Sequence, residues 1–273
     1  MSQNGCRALK AIGTTLAVLD LTFNPKISSG DFLADLPRLT ELDCSLNAWF
    51  DDKAAAVLAA SAPPLRKLTL EKTDVTDAGV AALGELAGSL EHLDLSRTAV
   101  CLATAESSSA LESMTSLRSL FLAYTEVSAE LAVHLPRALE RLKLSRCIGF
   151  ADEGLRLLAM KPPPSLQQLD VGSPYITPLS LSALQTIAEA GLTSLTLWHC
   201  KIDRQAADRL MAAAGLVKDT SMRSTEGTYI MKRLPAMADS YDAELAAVRE
   251  LSVRELSGGG ATSPPARDGL MVY

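Results

Sequence analysis

One nine-residue segment recurs eight times along the chain: Leu, two variable residues, Leu, one variable, an apolar residue, two variable, then Asn, Thr, Cys or Pro. It runs LAVLDLTFN from Leu16, LTELDCSLN from Leu39, LRKLTLEKT from Leu65 and LEHLDLSRT from Leu90. It continues as LRSLFLAYT from Leu117, LERLKLSRC from Leu139, LQQLDVGSP from Leu166 and LTSLTLWHC from Leu192. Successive copies are offset by 23, 26, 25, 27, 22, 27 and 26 residues. Such a period means one supersecondary unit repeated and stacked. The Leu-x-Leu alternation has the period of a short strand. The ninth residue turns the chain, and its side chain can serve backbone groups in the bend. A helix then returns the chain to the next strand. The spacing predicts helices over Asp51 to Ala60, Asp77 to Ala87, Asp152 to Met160 and Asp203 to Ala214, several with Asp or Thr as N-cap. No unit can bury its Leu face alone, so stability must come from neighbours.

Composition agrees with a repetitive core. Hydrophobic residues make up 48% but aromatics only 4%, so Leu, Ala and Val must fill the interior, which suits stacked repeats better than a sandwich or barrel.

The nine-residue segments resemble the leucine-rich-repeat family. The segments after the strands, Val75-Thr76-Asp77-Ala78-Gly79-Val80 and Ile148-Gly149-Phe150-Ala151-Asp152-Glu153-Gly154-Leu155, look like the helix starts of its cysteine-containing, ribonuclease-inhibitor-like class. Cys147 and Cys200 stand where that class places Cys; Thr73, Thr98, Thr125 and Pro174 depart from it, and register is weakest at Pro174. The resemblance covers about residues 16–216. It implies an α/β solenoid of about eight repeats, with parallel strands on a concave face and helices on a convex one. It also implies a protein-binding role, such as a substrate-recognition subunit of a ubiquitin ligase working through a separate adaptor.

The organisation read from the chain is a cap or partial repeat over 1–15, the repeats over 16–217, a connector and amphipathic helix over 218–257, and a flexible tail over 258–273. Asp239 to Ser257 reads as a C-terminal cap, or as a docking helix for a partner. Gly258 to Arg267 is flexible by composition, and Met271-Val272-Tyr273 resembles a short C-terminal peptide ligand. The first strand would leave an open parallel edge. Leu16–Thr22 is therefore expected to be covered by Cys6–Ile12, by a partner, or by a homodimer contact.

The chain offers little for catalysis. Histidines are His92, His134 and His199. His92 and His199 fall on the same face but four repeats apart, about 19 Å at strand spacing. His199 adjoins Cys200, but adjacent strand residues point to opposite faces. Gly258-Gly259-Gly260 lacks the Lys-Ser/Thr of a phosphate loop. Asp51-Asp52 and Asp152-Glu153 fall at helix starts, where acids suit the dipole. The reading is therefore no enzyme, no cofactor and no metal. The five cysteines Cys6, Cys44, Cys101, Cys147 and Cys200 are odd in number and lack Cys-x-x-Cys. They read as buried, inert thiols in a reducing cytoplasmic compartment. Met1 to Lys10 has no signal-like apolar core, and no run reaches membrane-helix length.

The remaining signal lies in the outward positions of the strands. The central column is Asp20, Asp43, Thr69, Asp94, Phe121, Lys143, Asp170 and Thr196. One flanking column holds Glu41, Lys67, His92, Arg141 and Gln168; the other holds Thr22, Ser45, Glu71, Ser96, Ala123, Ser145 and Trp198. The next position gives Phe23, Leu46, Lys72, Arg97, Tyr124, Arg146 and His199. Acids gather on the first copies, bases in the middle, and scarce aromatics beside them. Exposed aromatics with Arg are the composition of binding hot spots. The expected partner site is therefore Arg97, Phe121, Tyr124, Arg141, Lys143, Arg146, Trp198 and His199. The partner is expected to be a protein. A net charge of −6 argues against nucleic acid, although Arg141, Lys143 and Arg146 would suit an RNA scaffold. A structural subunit of a large assembly is the remaining alternative.

Overall fold

Each Leu-x-Leu segment forms a strand of three to five residues: β1 (Val18–Asp20), β2 (Glu41–Asp43), β3 (Lys67–Thr69), β4 (His92–Asp94), β5 (Ser119–Phe121), β6 (Arg141–Ser145), β7 (Gln168–Gly172) and β8 (Ser194–Leu197). The computed structural model describes residues 2–147, 149–218 and 228–233. These belong to one compact unit, Met1–Leu234. The second unit, Pro235–Tyr273, lies outside the described residues, as do the expected helix Asp239–Ser257 and the tail after it.

The eight strands pair in parallel and in chain order. The register is that of the repeat: Leu42 lies opposite Leu68, Leu93 opposite Leu120, Leu142 opposite Leu169. The inner leucines of β2 to β8 are almost fully buried. Each such side chain stabilises the fold by about 1.5–3 kcal/mol through burial.

Repeat length decides what closes each turn on the convex side. The five repeats of 25 to 27 residues carry α-helices: α2 (Asp52–Ala60), α3 (Asp77–Leu83), α4 (Ala105–Ser113), α5 (Ala151–Met160) and α6 (Leu181–Glu189). The repeats of 23 and 22 residues have only 3₁₀ turns, Asp31–Asp35 and Ala129–Val133. Losing three or four residues removes about one α-helical turn, so a uniform ten-residue helix holds only for the longer repeats. A last helix, α7 (Arg204–Ala214), follows β8.

Three helices have the expected Asp or Thr cap, while α5 begins at Ala151 with no side-chain cap. Asp51 accepts from the Ala54 N–H, Asp203 from that of Ala206, and Thr76 from that of Ala78. The next acid does something else. Asp52 reaches across to the following repeat, taking the N–H groups of Thr76 and Gly79 at 2.8 and 2.9 Å and the Thr76 hydroxyl at 2.7 Å. Asp152 does the same to the N–H and hydroxyl of Thr177. Asp77 accepts the N–H groups of Cys101, Leu102 and Ala103 at 2.8 to 2.9 Å. A Cβ on Gly79 would stand 2.5 Å from the Asp52 carboxylate; there the glycine makes room for the bridge. In the look-alike Asp152-Glu153-Gly154 the glycine instead makes room for the Phe150 ring.

At the C-terminal end, β9 (Val217–Lys218) and β10 (Tyr229–Lys232) close the sheet. β10 runs antiparallel to β8, and β9 antiparallel to β10. Arg233 donates to the Ala188 and Ala214 carbonyls at 3.1 Å, bases at helix C-terminal ends that the dipole favours. The connector of the sequence reading thus contains the edge cover for β8. At the other end α1 (Gln3–Leu9) packs against the 3₁₀ turn Asp31–Asp35. Val18 on β1 remains exposed.

Burial alone would raise the Asp77 carboxyl, but the backbone N–H groups it accepts hold it below the usual carboxylate value. Its contribution is therefore present above about pH 4 and is lost as pH falls through the lowered folded value. Asp77→Asn is expected to destabilise the fold at pH 7 by about 1–2 kcal/mol, since the carboxylate is half exposed. The difference from wild type should shrink below about pH 4. Urea melts at both pH values measure this; an equal difference at pH 7 and pH 3 would count against the bridge.

Candidate functional site on the concave face

The eighth residue of every repeat segment but the seventh adopts a left-handed backbone. Phe23, Leu46, Lys72, Arg97, Tyr124, Arg146 and His199 have φ between 50° and 66°. That conformation costs a non-glycine residue roughly 1–2 kcal/mol. None of the seven is β-branched, the type for which it is worst. The first six are held by a lateral bond, donating their N–H to the next repeat. The acceptors are the carbonyls of Ser45, Glu71, Ser96, Ala123, Ser145 and Gly172, at 2.6 to 2.9 Å. In the seventh repeat Ser173 breaks the row. It precedes Pro174, and a proline drives the preceding residue toward extended backbone.

The ninth residue holds the bend from inside. Asn47 donates to the carbonyls of Leu21, Cys44 and Ser45. Thr73, Thr98 and Thr125 each donate to the carbonyl three residues back. The Cys147 thiol donates to the Leu122 carbonyl. Asn, Thr and Cys share this position because each carries a short donor.

The left-handed row sets neighbouring side chains a strand spacing apart, about 4.8 Å. The Arg97 guanidinium lies over the Tyr124 ring at 4.1 Å, and that of Arg146 lies 5.9 Å from the same ring. Arg97 also pairs with Glu71 at 3.1 Å. Beside this group is a hollow of about 330 Å³, lined among others by Arg97, Tyr124, Lys143, Arg146, Trp198 and His199. A second hollow, about 190 Å³, is lined by Phe121, Arg141, Lys143 and Asp170 among others. Lys143 and Asp170 line both. All eight residues singled out by register therefore lie in two adjoining hollows.

The structure also revises the surface. Ser45, Ser96, Ala123 and Ser145, expected to face outward, are buried. They are the small floor on which larger neighbours stand. His92 is half-buried, edge-on to Phe121 with ring centroids 4.9 Å apart; burial, with Lys67 and Arg141 nearby, lowers its pKa. Asp20, Asp43 and Asp94 turn their carboxylates back to the N–H two residues on. Sequence reasoning passed over Asp170 as a site residue. Its carboxylate accepts the Ser145 hydroxyl at 2.5 Å, and burial raises its pKa. The signal was its neighbours in register, Lys143 and Thr196.

His199 is exposed and Cys200 buried; both lie beyond β8, and the left-handed turn at His199 rather than strand alternation separates them. Burial pushes the Cys200 thiol up to about 11, so it stays protonated at neutral pH. All five cysteines are free; four are buried and Cys101 is partly exposed. Among the described residues no cluster of His, Cys, Asp or Glu could hold a metal ion. No described helix is long and apolar enough to cross a membrane.

The architecture has a solved counterpart. An internalin (InlF) from Listeria monocytogenes is similar with a TM-score of 0.52 and 20% identity, over 76% of this chain and 61% of its own. The fold is a leucine-rich-repeat solenoid. TLR13, solved as a complex with ssRNA13, is similar at a TM-score of 0.46 and 17% identity, over 74% of this chain and 35% of its own. The chain thus spans less than two thirds of either protein. No family model and no curated protein sequence matches it.

Trp198 is set by a glycine on the adjacent strand of the solenoid. A Cβ on Gly172 would meet the Trp198 Cβ at 2.4 Å and its carbonyl oxygen at 2.7 Å. Gly172→Ala is expected to displace Trp198 and shift its fluorescence. The chain's other tryptophan, Trp49, is buried between Phe32 and Phe50 and should contribute a constant signal. Unchanged emission in a folded variant would show that Gly172 does not position the indole.

Proposed function

We propose that this solenoid is a non-enzymatic binding module that captures a protein partner on its concave face, across the fourth to eighth repeats. The observation that carries the reading is Tyr124, exposed and flanked by the guanidinia of Arg97 and Arg146 at the rim of the larger hollow. An aromatic ring with arginines on a rigid concave scaffold is the composition of a hot spot. Phe121, Arg141, Lys143, Trp198 and His199 extend it. The finer form of this reading is a substrate-recognition subunit acting through a separate ligase adaptor. It is favoured by the helix starts that resemble the cysteine-containing class. The five free thiols favour a reducing compartment, the cytoplasm.

A second reading has its own observation. Among the described residues β1 pairs on one side only, and Val18 and Phe23 beside that edge are 58% and 68% exposed. An end-on contact there, with a second copy or within a larger protein or RNA-containing assembly, would cover them.

The two separate by substitution. Phe121→Ala/Tyr124→Ala is expected to weaken capture of the partner by at least about thirtyfold, with the denaturation midpoint little changed. Val18→Lys should leave capture intact. Measured in quantitative pulldowns, the reverse pattern would replace the concave-face reading with the edge reading.

A further inference from the structure

The charges of the concave face are unevenly engaged. Glu71 is held by Arg97, Asp94 by the Ser96 N–H, and Asp170 by the Ser145 hydroxyl, with the Lys143 charge acting on it from the adjacent strand. The carboxylates of the larger hollow are thus all occupied within the protein. The bases of the sixth repeat are not. Among the described residues Arg141, Lys143 and Arg146 form no salt bridge: Lys143 acts on Asp170 only at longer range, and Arg141 donates only to the neutral Ser119 hydroxyl, at 2.8 Å. The available charge around the two hollows is positive, although the chain as a whole carries −6.

These bases lie in a line along one strand. Arg141 and Lys143 are two residues apart on the same face of β6, about 6.6–6.8 Å. Arg146 follows at the left-handed position. That spacing equals the distance between alternate side chains of an extended peptide. Along one side of the line, in register, run Phe121, opposite Lys143, and Tyr124, whose N–H is bonded to Ser145. A second guanidinium shares the Tyr124 ring with Arg146, and an anion near it would relieve the repulsion between the two.

From this line of bases without a salt bridge we infer that the concave face takes an extended acidic segment of a protein partner. Asp or Glu side chains at alternate positions meet Arg141 and Lys143, and a further acid meets Arg146. The inference rests on the proposed binding role of the same face and names the chemistry of the partner. The apolar side chains between the acids lie against Phe121 and Tyr124.

The test uses the full chain and a short synthetic peptide in which glutamate alternates with valine. The same peptide with glutamine for glutamate, and a single-stranded RNA oligonucleotide, are the comparisons. Trp198, lining the hollow, reports binding by fluorescence, with calorimetry as a second measure. The glutamate peptide should bind at least about tenfold more tightly than the glutamine peptide at low salt, and the advantage should fall as salt is added. Lys143→Gln/Arg146→Gln should remove the advantage while leaving the melting temperature unchanged. Arg66→Gln, at a base outside the hollows, should retain it. Equal binding of the two peptides, no binding at millimolar peptide, or an advantage that survives the double substitution would overturn the inference. Tighter binding of RNA, lost in the same variant, would overturn it in favour of a nucleic acid. If these fail while Phe121→Ala/Tyr124→Ala still abolishes partner capture, the face binds proteins by another chemistry. If capture also survives that change, the concave-face reading itself falls.

Discussion

The concave face depends on one backbone hydrogen bond, repeated. At the end of each of the first six strands a residue enters the left-handed region, and its N–H is donated to the carbonyl of the next repeat. Without that bond the conformation is a cost of roughly 1–2 kcal/mol for a side chain such as Tyr or Arg. With it, the strain is offset and the side chains of successive repeats stand in one row. The parallel pairing fixes their spacing, so Arg97, Tyr124 and Arg146 meet without being near in sequence. The buried serines and alanine beneath them keep that row raised above the sheet.

The convex side uses a different cross-link for the same purpose. Asp52, Asp77 and Asp152 carry hydrogen bonds from one repeat into the N-terminal turn of the next. Donor and acceptor again belong to adjacent repeats, so both faces are stabilised by neighbours, as expected for a quasi-one-dimensional fold. The consequence for function is a rigid platform. Arg97 and Tyr124 are already ordered by their neighbours, which would lower the entropy cost of binding at the proposed site.

Much of this was legible because the period is strong. Eight leucine segments in register placed the strands and gathered the eight candidate residues onto one face. The caps Asp51 and Asp203 followed from residue type at a helix start. What escaped the reading lacked a period or depended on contacts between repeats. The hairpin of β9 and β10 is two short strands with no alternation long enough to see. The inter-repeat bridge of Asp52 looks like an ordinary acid in a first helical turn. Ser45, Ser96, Ala123 and Ser145 alternate as surface residues do, yet they are buried. Gly172 matters through a tryptophan 26 residues later in the chain. Repeat length did carry readable information, since the two shortest repeats are those closed by 3₁₀ turns.

Amide hydrogen exchange tests the central claim most directly. The N–H groups of Phe23, Leu46, Lys72, Arg97, Tyr124 and Arg146 all lie outside or at the ends of the strands, where turn amides ordinarily exchange fast. If the lateral bond organises the face, those of Lys72, Arg97, Tyr124 and Arg146, in the interior of the array, should be protected as strongly as the strand amides of Leu93 and Leu142. Exchange at the rate of open turn amides would show that the row is not held by the backbone, and the account of how this face is built would fail.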